Sequence, residues 1–188
     1  MKSPNLHIVI GSFIFLIIIA GYQYYLHSYT PVSLPGLPEL KQNERRPDFV
    51  LPDITGKKRS HVEWDGKIVV INFWATWCRS CLKEMPILIR LQNEYAKQGV
   101  QFIGIAVRDE LDSVKRVATV LGINYPILFN QQGLALSKAF GNTIEAIPFT
   151  VVVDRQGYIV SRFAGELNER AAKKLMAGQY VAHPTTNN

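Results

Sequence analysis

The apolar positions along the chain fall into one long block and then a series of short ones. The first block runs from Leu6 to Gly21, interrupted only by His7 and Ser12, and Tyr22, Tyr24, Tyr25 and Leu26 extend it. As a helix it would reach roughly 30 Å, the thickness of a bilayer core, with tyrosines at one interface. Next comes a stretch with little periodicity and with Pro31, Pro35, Pro38 and Pro47, which reads as a linker. Beyond it the pattern alternates. Lys67–Trp74 is β-branched and almost wholly apolar, as suits a strand covered on both faces. A helix is expected from Cys78 to Gln98, stopped by Gly99, and a second buried strand from Val100 to Val107. Asp112 is the expected cap of a helix whose apolar stripe is Val114, Val117, Ala118 and Leu121. A strand over 125–129, a helix over 134–140 and a hairpin of 149–153 with 158–163 follow. The last helix is expected over 167–177, with Asn168 as cap and Leu167, Ala171, Leu175 and Met176 toward the core. The order β-α-β-α-β-α-β-β-α gives an α/β domain with a mixed sheet.

The organisation is then residues 1–27 as a transmembrane anchor, 28–46 as a Pro-rich linker, 47–178 as one domain and 179–188 as a flexible tail. The only firm charge before the apolar block is Lys2, and no other side-chain charge precedes Glu39, so the positive-inside bias keeps Met1 in the cytoplasm. The alternative is a cleaved signal peptide, for which Ser28-Tyr29-Thr30 is a weak cleavage site. Both readings export the domain, where disulfides persist.

Composition narrows the classes. With 188 residues, 47% apolar and 19% charged, the chain is neither disordered nor fibrous. Its net charge of +6 is scattered and not interleaved with aromatics, which argues against nucleic acid. Two cysteines are too few for a disulfide scaffold or a four-cysteine zinc site.

Those cysteines carry the chemistry. Cys78 and Cys81 form a Cys-x-x-Cys pair between a buried strand and a helix. Unpaired N–H groups and the positive dipole end at the helix N-terminus favour a Cys78 thiolate. Cys81, one turn later on the same face, can resolve a mixed disulfide. A haem site fails because Leu82 follows Cys81, and the four histidines show no ligand spacing. No cofactor and no metal is implied. Glu84 shares a helix face with Cys81, so it can move a proton to or from that thiol and oppose its ionisation. Trp77 is assigned to the substrate-facing surface, and Trp74 and Pro86 to structure. Arg79 is a cation that favours the Cys78 thiolate.

The string from Phe73 to Pro86, Phe-Trp-Ala-Thr-Trp-Cys-x-x-Cys-x-x-Glu-Met-Pro, resembles the TlpA/ResA branch of the thioredoxin superfamily, to which CcmG (DsbE) also belongs. The likeness extends over 47–177 and includes Ile147-Pro148-Phe149-Thr150. It implies a thioredoxin-like fold with an extra helix–strand insertion near 112–129, and a redox-active Cys78–Cys81 disulfide. It further implies that Pro148 is cis and faces the cysteines, that the Ile147 backbone meets an extended substrate, and that Glu84 lies in the active-site cavity. On position alone Pro148 reads as an ordinary trans proline entering an edge strand. The activity implied is that of a membrane-anchored protein-disulfide reductase in the periplasm. Its substrates would be disulfide-containing proteins, such as apocytochrome c or a copper-assembly factor, and its electron donor a membrane thiol carrier of the DsbD/CcdA type. A disulfide-donating oxidase and a copper-binding metallochaperone on the same fold are the alternatives.

Overall fold

The computed structural model describes residues 15–23, 38, 40–130 and 134–177. Residues 15–23 form a helix, α1, whose side chains are exposed. The rest of the expected 1–27 anchor lies outside the described residues, as do most of the linker and the tail beyond 178. Among the described residues no helix is long and apolar enough to cross a membrane.

The domain opens with a small hairpin, β1 (Val50–Pro52) and β2 (Lys58–Ser60), closed by Asp53, whose Oδ1 accepts the Thr55 and Lys57 N–H groups. The main sheet has five strands in the order β5-β4-β3-β6-β7. They are β3 (Ile68–Trp74), β4 (Val100–Val107), β5 (Ile127–Asn130), β6 (Phe149–Val153) and β7 (Ile159–Ala164). Strands β3, β4 and β5 are parallel, joined through α2 (Arg79–Tyr95) and α3 (Leu111–Leu121). Strands β6 and β7 run antiparallel beyond β3, after the short α4 (Ala135–Ala139), and α5 (Glu169–Ala177) closes the fold.

Every residue of β3 is buried, as its almost wholly apolar run, broken only by Asn72, requires of a central strand. The two-residue side-chain period sends Val69, Ile71 and Phe73 to one face, against Phe49, Trp64 and Phe140. It sends Ile68 and Val70 to the other, against Leu88 and Leu91 of α2. Asn72 shares that second face, and this later explains its partner. Trp74 packs there too, beside Met85, Val114 and Ala118.

Several expected boundaries move. The α2 helix begins at Arg79, with Cys78 as its N-cap, and runs on through Pro86. Asp112 is not a cap: α3 starts at Leu111 with Glu110 in the cap position, so Asp112 lies inside the first turn, where a negative charge suits the helix dipole. The strand expected from Tyr125 starts at Ile127, and Tyr125 is buried beside Phe102. Asn168 does cap the last helix, accepting the Ala171 N–H at 2.8 Å. Leu167 is buried and Ala171 packs beside it, whereas the side chains of Leu175 and Met176 lie outside the described set.

The lead-in to the domain is attached to it. Leu40 packs on the core, Glu44 pairs with the buried Arg162, and the Arg45 guanidinium stacks over Tyr158 at 5.4 Å.

Candidate active site

Register places the chemistry at one end of the sheet. Phe73 pairs with Phe149 and Trp74 with Ala106. The C-terminal ends of β3 and β4 and the N-terminal end of β6 therefore lie together. The segments Ala75–Cys78, Arg108–Glu110 and Ile147–Pro148 all leave from that edge. In open α/β sheets this is where ligands bind, at the carboxyl ends of strands whose neighbours diverge.

Cys78 and Cys81 are joined, with S–S 2.06 Å and Cα–Cα 5.3 Å. The Cys78 sulfur accepts the Cys81 N–H at 3.2 Å, as an N-cap side chain does. The two cysteines differ in access: Cys78 is 6% exposed and Cys81 is fully buried. Beside Cys78 lies a shallow groove of about 500 Å³, lined by Trp77, Arg79, Lys83, Ile147 and Glu166 among others. Trp77 is 61% exposed, and Lys83 is tied to Glu166 at 2.6 Å. The Ile147–Pro148 peptide is cis, with Pro148 buried and Ile147 partly exposed on the groove. The structure thus brings Trp77, Cys78 and Ile147 to one surface, with Pro148 behind it and Cys81 beneath.

Glu84 lies deeper. It is fully buried on the face of α2 that carries Cys81 and Met85. Its Oε1 accepts from Asn72 Nδ2 at 2.8 Å and its Oε2 accepts the Leu167 N–H at 2.7 Å. The other Asn72 N–H reaches Thr150 Oγ1 at 3.0 Å, since Asn72 and Thr150 face each other across β3 and β6. Burial raises the Glu84 pKa to about 7, and Glu166 adds to the rise. The Leu167 and Asn72 donors favour the charged form and offset part of it. The Tyr125 phenol is pushed upward by burial and by Glu84. Glu84 is therefore a carboxyl poised near neutrality and anchored to β3 and to the chain entering α5.

Sequence reasoning assigned no role to Thr76 and did not single out Asp109. The two are bonded: Asp109 accepts the Thr76 N–H, and its Oδ1 accepts the Thr76 hydroxyl at 2.8 Å. Trp77 Nε1 donates to the Arg108 carbonyl at 2.9 Å. The available signal was topological, because Arg108-Asp109 are the first polar residues after β4 and must emerge at the active edge.

The geometry finds its counterparts among known proteins. The family model described as Redoxin matches residues 41–177. A thiol-disulfide oxidoreductase ResA of Geobacillus thermodenitrificans is 30% identical over 93% of this chain and 96% of its own length. One from Halalkalibacterium halodurans is 31% identical over 83% of this chain and 84% of its own. The crystal structure of a thioredoxin-family thiol:disulfide interchange protein from Chlorobium tepidum superposes with a TM-score of 0.65 at 29% identity. It covers 74% of this chain and 97% of that one.

Proposed function

The chain belongs to the redoxin family and is a thiol-disulfide oxidoreductase of the ResA type; from that premise we propose that it reduces disulfides of extracytoplasmic proteins, with Cys78 as attacking thiol and Cys81 as resolving thiol. The observation that carries the assignment is the difference in access, because Cys78 lines the groove and keeps slight exposure whereas Cys81 is fully buried.

In the reduced enzyme the Cys78 thiolate attacks one sulfur of the target disulfide. That S–S bond breaks, a Cys78–target mixed disulfide forms, and the leaving thiolate takes up a proton. Cys81, once deprotonated, attacks the Cys78 sulfur and releases the second target thiol. Two electrons have passed to the target and the enzyme holds the Cys78–Cys81 disulfide. Glu84, with a pKa of about 7, is suited to accept the Cys81 proton at the resolving step. A target segment would lie extended along Ile147 and against the exposed Trp77 ring.

The reducing direction is supported by Glu84, whose buried carboxylate disfavours a second negative charge on the thiols and so destabilises the dithiolate side of the couple. Arg79, exposed beside Cys78, and the helix N-terminus that Cys78 caps both favour the thiolate and argue for disulfide donation. The apolar run from Leu6 to Gly21 supports a single-pass anchor in the bacterial inner membrane with the domain in the periplasm. Reduction there needs an outside dithiol, and a membrane thiol carrier of the DsbD/CcdA type would regenerate the enzyme. Apocytochrome c and a copper-assembly factor are the candidate targets. The experiment is a turbidity assay of insulin reduction by the full-length protein with dithiothreitol as donor. The wild type accelerates precipitation and Cys78→Ser does not; equal rates would refute the assignment.

A further inference from the structure

The corner that closes β4 belongs to neither cysteine, yet it touches both walls of the groove. On one wall it holds the segment leading into Cys78, through Asp109 to the Thr76 N–H and hydroxyl and through the Arg108 carbonyl to the Trp77 indole. On the other wall Arg108 Nη2 lies 3.0 Å from Oε2 of Glu145, three residues before Pro148. Glu145 is held again by Lys138 at 2.6 Å. The next residue, Ala146, is pinned at both backbone groups by the buried Asn142, at 2.9 Å for its N–H and 2.8 Å for its carbonyl. Arg108 and Glu145 also share an uncommon backbone. Both are non-glycine residues in the left-handed region, with φ of 51° and 53°. Such residues persist where their surroundings over-determine them, and they gather at functional sites. Here the two are bonded to each other, joining the corner after β4 to the loop that carries Ile147 and Pro148.

We propose that the Arg108-Asp109 corner is a positioning clasp, which fixes the Trp77 wall and the Ile147 wall relative to each other so that an extended, disulfide-bearing polypeptide fits between them. The inference rests on the groove being the target site. Arg108 and Glu145 do not touch the sulfurs. They act through Trp77 and through the loop that carries Ile147 and Pro148. A small disulfide needs only the Cys78 sulfur and is indifferent to the wall spacing, whereas a polypeptide must meet both walls at once. The clasp therefore acts on the choice between the two kinds of substrate.

The test compares reduction of insulin with reduction of bis(2-hydroxyethyl) disulfide, which is neutral and does not sense a lost charge. Full-length wild type, Arg108→Ala, Glu145→Gln and the double variant are measured. Each single variant should lower the insulin-to-small-disulfide ratio of kcat/KM roughly two- to five-fold, the scale of a half-exposed ion pair, mostly through KM. The double variant should be no worse than Glu145→Gln alone, because that change already removes the Arg108 bridge together with the Lys138 pair. Losses that add in the double variant, or ratios unchanged in both single variants, would overturn the clasp while leaving the proposed function intact. A wild type inert toward insulin would instead refute the function.

Discussion

Glu84→Gln removes one ionisation and keeps the shape of the side chain. The carboxyl is fully buried, and its pKa rises from an ordinary 4.5 to about 7, mainly through burial. In the unfolded chain the group releases its proton near the ordinary value. Between that value and about 7 the folded protein still holds the proton. The folded state thus binds more protons than the unfolded one, and stability falls as pH rises through this window. At roughly 1.4 kcal/mol for each tenfold change in proton affinity, the full loss is about 3 kcal/mol and is complete somewhat above pH 7. Glu44 and Asp53 are shifted the other way, Glu44 by its contact with Arg162 and Asp53 by its bonds to Thr55 and Lys57. Their contribution is present above the ordinary carboxylate range and is lost only below it, so it stays constant across the window. The assay is urea unfolding of the oxidised protein, in which neither cysteine titrates, at about pH 5 and about pH 8. The wild type should lose about 3 kcal/mol more than Glu84→Gln between the two conditions. Any other titrating group is common to both proteins and cancels. Equal losses, or a wild type that gains stability relative to the variant, would refute the assignment of Glu84 as a buried group that folds protonated.

Two further outcomes are expected besides the clasp. Cys81→Ala should form a long-lived mixed disulfide with a target while Cys78→Ser forms none, as read on non-reducing gels; trapping through Cys81 in the Cys78→Ser protein would reverse the roles. Gly104→Ala would set a Cβ 3.0 Å from the Trp74 indole nitrogen and 3.4 Å from the Tyr125 ring. Overpacking of this kind costs about 1–3 kcal/mol, seen as a lower urea midpoint, and an unchanged midpoint would show that the Trp74 packing gives way freely.

What the sequence revealed and what it hid follow from the range of the interactions. Strands β3 and β4 are nearly continuous apolar runs, and their bounds were legible to within a residue. The cysteine pair announced itself because both partners lie in one turn of one helix. Glu84 could be placed on the Cys81 face by helical spacing, but its partners could not. Asn72 meets it because odd and even positions of β3 face opposite sides, and Leu167 meets it from 83 positions away. The Thr76–Asp109 bond spans 33 positions and depends on β3 and β4 ending together. Asp112 looked like the cap of α3 because it is acidic and precedes the apolar stripe. The helix begins one residue before it, which leaves Asp112 in the first turn, a position that favours an acidic side chain just as a cap does. The docking of residues 40–46 onto the domain was hidden too, since proline spacing reports a lack of periodicity and not what the backbone leans on.

The most direct test of the account is the reduction potential of the Cys78–Cys81 couple, measured by equilibration of the full-length protein with dithiothreitol buffers. A reductase with a buried carboxylate beneath its resolving thiol should lie near the reducing end of the family scale, closer to about −270 mV than to about −120 mV. A value near about −120 mV would mean that the dithiol form is the favoured one, and would make the enzyme a donor of its disulfide.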